Sequence, residues 1–204
     1  MGNTFNKHVA QKFVGQFEKY GFTSLRGGAF PTMQKFIDGE TFCIVWLDTS
    51  VTANWASLIL NGGVQHNQFL KVAAATMPNG KWFNSAPISV RGYLDSQGNP
   101  DGTLTLGNIQ EGHNSELVDF FDDYAEKIIN WSNGYLDWQS LLKLAKDDQS
   151  RRALFNVPII EKILGTEEFD AWTAYLEHKG FPIDAEYFLF LERLRALDLK
   201  SILS

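Results

Sequence analysis

Residues 114 to 131 read NSELVDFFDDYAEKIINW and place carboxylates at Glu116, Asp119, Asp122, Asp123 and Glu126. Acidic side chains this dense can hold a cation, pass protons, attract a basic partner or keep one face of a helix wet. The apolar residues narrow the choice. Leu117, Phe120, Phe121, Tyr124, Ile128 and Trp131 fall at i, i+3, i+4, i+7, i+11 and i+14, the stripe of an amphipathic helix, with Ser115 as its cap. The carboxylates lie opposite or beside that stripe. Glu116 and Asp119 sit in the first turn, where the helix dipole favours anions, and Asp123 can pair with Lys127 one turn on. A solvated helix face accounts for the run in these terms. A metal site would need oxygen ligands converging from elsewhere, and neither an EF-hand nor a DxD pattern supplies them. The sharper reading makes the face a docking surface for a basic protein. Asp119, Asp122, Asp123 and Glu126 are its first candidates, and Glu167, Glu168 and Asp170, with Asp147 and Asp148 nearby, form a second set.

The other reactive side chains are dispersed. His8, His66, His113 and His178 show no HxH or HExxH spacing and read as surface or loop histidines. Cys43 lies inside the apolar run FCIVWLD, where burial raises a thiol's pKa and leaves it inert. No serine stands in GxSxG. Gly62-Gly63 follows an apolar run without GxGxxG or GxxxxGK[ST], and no helix is expected behind it to receive a phosphate, so it reads as a bulge or turn. The loop DSQGNPDG alternates oxygen side chains as a calcium loop does. It has Pro100 where that loop needs glycine and Leu106 where it needs a bidentate glutamate, and so reads as a hairpin turn. No catalytic residue, cofactor or metal is expected. Among the tryptophans, Trp55 at a strand start and Trp82 beside a Pro/Asn/Gly turn are candidate binding anchors. Arg151-Arg152 reads as a source of intramolecular ion pairs.

Composition limits the partner. With 44% hydrophobic and 21% charged residues in 204, the chain is that of a folded protein able to bury a sizeable core without a metal or a disulfide. The net charge of −6 is unevenly spread: residues 1 to 105 carry eight Lys/Arg against six Asp/Glu, whereas residues 106 to 204 carry ten against eighteen. The acidic half disfavours nucleic acid and would steer a basic protein toward itself. A lone cysteine and an N-terminal stretch without a signal-peptide pattern point to the cytoplasm. No apolar run reaches the roughly eighteen residues that a membrane span requires.

The elements that must position these residues change period at mid-chain. NKHVAQKFVGQFEKYGF predicts a helix from Val9, Phe13, Phe17 and Tyr20, stopped by Gly21. MQKFIDGETFCIVWLD predicts a hairpin turning near Asp38-Gly39, whose second strand is apolar on both faces and therefore central. NWASLILNGGV, KWFNSAPISVRGYLD and TLTLGNI supply further strands, the last after the turn Asn99-Pro100-Asp101-Gly102. Helical spacing then takes over from residue 115, with helices expected near 135 to 147, 150 to 164, 167 to 179 and 184 to 199. The expected fold is α+β: an N-terminal helix on an antiparallel sheet of about five strands in residues 1 to 112, then a bundle of about five helices in 113 to 204 packed on it as one globular unit.

Three segments carry a resemblance. Tyr20-Gly21-Phe22 at the helix end, the strands FCIVWLDTS and WASLILNGGV, and ISVRGYLD with Arg91-Gly92 together resemble a bacterial α+β domain family of unknown function, over about residues 10 to 95. The chain departs from it in the apolar FCIVWLD, where a more polar strand is expected. The family offers no catalytic residues. Its general look is similar to that of immunity proteins that neutralise antibacterial toxins. The resemblance implies a cytoplasmic, non-enzymatic binding protein whose acidic, aromatic surface covers a toxin's basic active site. A phage or host-defence regulator would use the same surface physics. A third possibility is a small-ligand or enzyme pocket between sheet and helices, lined by His66, Arg91, His113 and tryptophans.

Overall fold

The computed structural model describes residues 2–26, 32–51, 55–77, 90–92, 103–107, 114–147 and 153–203. Helix α1 (Gly2–Lys19) forms because Val9, Phe13 and Phe17 recur every four residues, and all three are fully buried. It ends at Gly21, whose φ of +81° only glycine adopts without strain. The Phe22 amide donates to the Phe17 carbonyl (3.1 Å) and the Gly21 amide to that of Glu18 (3.0 Å), closing the last turn. The Phe17 and Phe22 rings meet edge to face across it.

The sheet comprises β1 (Thr23–Arg26), β2 (Thr32–Phe36), β3 (Thr41–Val51), β4 (Trp55–His66), β5 (Val90–Gly92) and β6 (Thr103–Gly107), ordered β1-β2-β3-β4-β5 with β6 also on β4. The β2–β3 hairpin turns where the sequence predicts. Asp38 holds it, its carboxylate accepting from the amides of Glu40 (2.9 Å) and Thr41 (2.7 Å). β3 lies inside the sheet, as its apolar run requires. β6 runs antiparallel to β4 from Trp55↔Gly107 to Ile59↔Thr103. Of the expected fourth strand only Val90–Gly92 is described, and the turn at residues 99 to 102 lies outside the described residues.

Two elements depart from expectation. β1 is an edge strand with a single large apolar residue, so it shows no alternation to read. Helix α2 (Asn67–Thr76) follows β4 directly, where no helix is expected after Gly62-Gly63. Phe69, Val72, Ala73 and Thr76 form its buried stripe, and His66 caps it by accepting the Gln68 amide on Nδ1 (3.2 Å). The two glycines lie within β4, upstream of this helix, and not in a phosphate loop.

The helices that follow are α3 (Asn114–Ser132), α4 (Trp138–Asp147), α5 (Ala153–Leu164), α6 (Phe169–His178), α7 (Ala185–Ala196) and α8 (Leu199–Leu203). Ser115 falls inside the first turn of α3, because the helix begins one residue earlier. Gly180 ends α6 with φ +75°. The protein is α+β with a helical C-terminal region, and no described helix is long and apolar enough to cross a membrane.

Contacts divide the chain into residues 1–63 with 92–134, and residues 64–91 with 135–204. This differs from a division at residue 112, because α3 belongs with the sheet. In the first unit Val9, Phe13 and Phe17 of α1, Cys43, Val45 and Leu47 of β3, Leu58 and Leu60 of β4, and Leu117, Phe121, Tyr124 and Ile128 of α3 form one core. Each large side chain buried there contributes about 1.5–3 kcal/mol. In the second unit α5 is the central element. It is buried on every face from Ala153 to Lys162, with α2, α4, α6 and α7 packed on it.

Gly62 permits the closest approach in the first core. A β-carbon there would collide with the terminal methyl of Ile128 and lie 2.8 Å from its Cγ1 and 3.2 Å from the Tyr124 hydroxyl. Gly62→Ala is expected to destabilise by about 1–3 kcal/mol, read as a lower urea midpoint at unchanged slope. Cys43 lies in the same core with burial pushing its thiol up to about 12, against the opposing effects of Ser132 and Lys35. A thiol reagent should leave it unmodified in the native protein and label it once urea unfolds the chain.

Candidate protein-docking face

α3 is placed by its apolar side. Leu117, Phe121, Tyr124, Ala125 and Ile128 are at most 1% exposed, which fixes the rotation of the helix and turns the opposite side to solvent. Glu116, Asp119, Asp123 and Glu126 all lie on that exposed side. Their spacing of three, four and three residues makes a straight stripe about 15 Å long at 1.5 Å per residue, with roughly one charge per helical turn.

Asp122 is not part of the stripe. It points to α1, where Gln16 Nε2 donates to both of its carboxylate oxygens at 3.1 Å, and Gln16 itself is buried. Next to this pair the Tyr20 hydroxyl faces Glu126 Oε1 at 3.5 Å, a long and weak contact. Burial, then the charges of Asp122 and Glu126, raise the Tyr20 phenol above its ordinary pKa, so it remains a donor toward the carboxylates. Asp123 pairs with Lys127 at 2.6 Å as the sequence predicts. Both partners are about half exposed, and such a pair contributes only a few tenths of a kcal/mol.

The remaining candidates are not gathered here. Trp55 is 41% exposed, but it alternates with Ala56 and Leu58 along β4 and projects to the sheet face opposite α1 and α3. Ile59, also exposed, shares that face. Trp82 lies outside the described residues. Glu167, Glu168 and Asp170 belong to the second unit. Glu167, at φ +50°, accepts from Lys162 at 2.7 Å, and Asp170 from Arg195 at 2.5 Å. Glu168 is exposed at the start of α6 and makes no capping bond with its side chain.

The residues considered for a pocket are likewise separated in role. His66 is the cap of α2, with its ring 4.2 Å from that of Trp138. The Arg91 side chain and His113 lie outside the described residues, as do Arg151 and Arg152. Among the described residues no group of three His, Cys, Asp or Glu side chains could hold a metal ion.

Sequence reasoning leaves out two parts of the face. Glu116 belongs to the exposed stripe, a placement available from the helical wheel. Gln16 is a partner separated by 106 residues, and no local pattern announces it. The Gln16 to Asp122 contact should couple α1 to α3: a double-mutant cycle of Gln16→Ala and Asp122→Ala is expected to give about 1–2 kcal/mol of interaction by urea unfolding.

No protein-family model, curated protein or solved structure matches this chain.

Proposed function

We propose that this chain is a cytoplasmic, non-enzymatic binding protein, most concretely an immunity protein or antitoxin, and that it meets a basic partner through α3. The supporting observation is the stripe of Glu116, Asp119, Asp123 and Glu126, exposed along a helix that the core holds in one orientation. A rigid row of like charge lowers the ordering cost of docking and draws an oppositely charged surface by long-range attraction. The net charge of −6 acts in the same direction.

The physics separates these residues by role. Asp122 holds α3 to α1 and is not a recognition residue. Asp123 is partly neutralised by Lys127. Glu116, Asp119 and Glu126 are the recognition residues to change, and changing them leaves the core untouched.

The test compares the wild-type protein with the triple variant E116K/D119K/E126K, each used to capture proteins from its native cells at low salt. The expected result is a basic protein held by the wild type, released at about 0.5 M salt where screening shortens to a few ångström, and at least tenfold depleted with the variant. Equal capture by both forms, with the variant's circular dichroism unchanged, would remove α3 as the docking face.

A further inference from the structure

Independently of the docking reading, α5 carries an ionisable group in the interior of the second unit. Glu161 is 1% exposed, within a helix buried on all sides. Oε2 receives no hydrogen bond from a described residue, and Oε1 is met by Nζ of the partly exposed Lys146 of α4 at 3.1 Å. The neighbouring elements offer little else to an anion. From the start of α6 Glu168 adds a like charge, from α7 Tyr187 presents a phenol, and the one charged side chain of α2, Lys71, is exposed to solvent.

We propose that Glu161 makes the second unit proton-responsive: ionised, it leaves α5 with a poorly solvated buried anion, and protonated, it relieves that burden and frees Lys146 to turn to solvent. Burial raises the Glu161 carboxyl above the ordinary glutamate range, with Lys146 opposing and Glu168 adding to the shift. The sign follows from linkage. A folded-state pKa above the unfolded value means that the folded unit binds the proton more tightly. Its contribution is present in full below the unfolded pKa and is lost as pH rises through the folded one. The responsive window therefore begins at the ordinary glutamate range and extends upward from it. Glu167 pairs with Lys162 and Asp170 with Arg195 in the same unit, so the Glu161 effect is read against a variant and not from the wild type alone.

Amide hydrogen exchange of α5 in the full chain, corrected for intrinsic rates, measures the opening equilibrium at about pH 3.5, below the ordinary glutamate range, and at about pH 7.5. Glu161→Gln is expected to open several-fold less than wild type at the higher pH and equally at the lower. Lys146→Met should open more than wild type at the higher pH alone. Opening of Glu161→Gln identical to wild type at both values would overturn the proposal. Should Glu161→Gln not fold, carbon-detected titration of the wild-type carboxyls decides: Glu161 titrating above the exposed glutamates supports the proposal, and titration together with them overturns it.

Discussion

What the first unit shows to solvent depends on one packing constraint, the closure of α3's aromatic side onto the sheet at Gly62. With Ile128 against the bare backbone of β4 and Phe121 among the rings of Phe13 and Phe17, the helix has one rotation that fills the core. That rotation sets Glu116, Asp119, Asp123 and Glu126 outward as a row and turns Asp122 to Gln16. The acidic face is thus a consequence of apolar packing, and its geometry is as well defined as the core beneath it.

Magnitudes decide which interactions hold the fold. Leu117, Phe121, Tyr124 and Ile128 are each worth about 1.5–3 kcal/mol on burial, whereas the exposed Asp123 to Lys127 pair contributes a few tenths. The carboxylates are therefore not needed to keep α3 helical, and a concentration of like charge opposes folding slightly through repulsion. The second unit arranges charge differently. There Glu161 lies inside, where removing a carboxylate from water costs more than one partly exposed ammonium returns. The two units use acidity for separate physical ends.

Local pattern made much of this legible. The apolar spacing of α1, the Asp38 turn, the doubly apolar β3, the stripe of α3 and the Asp123 to Lys127 pair all follow from residues within a few positions of one another. β1 was not legible, because TSLR has no periodicity and is paired only by its neighbour β2. α2 carried a readable stripe at Phe69, Val72, Ala73 and Thr76 that the expectation of a continuing meander obscured. Contacts at long range were beyond the sequence altogether: Asp122 is indistinguishable from Asp123 until α1 arrives beside it, and Glu161 looks like any surface glutamate until four helices enclose α5. Trp55 had the residue type of an anchor, but the side of the sheet it occupies depends on strand register.

Carboxyl footprinting tests the central claim most directly, since it reads each acidic side chain of the native protein, free and with the captured basic partner bound. The account predicts that Glu116, Asp119 and Glu126 label readily in the free protein and are protected in the complex, while Asp122, held by Gln16, labels weakly in both. Equal labelling of the α3 stripe with and without partner, or protection confined to the second unit, would contradict it.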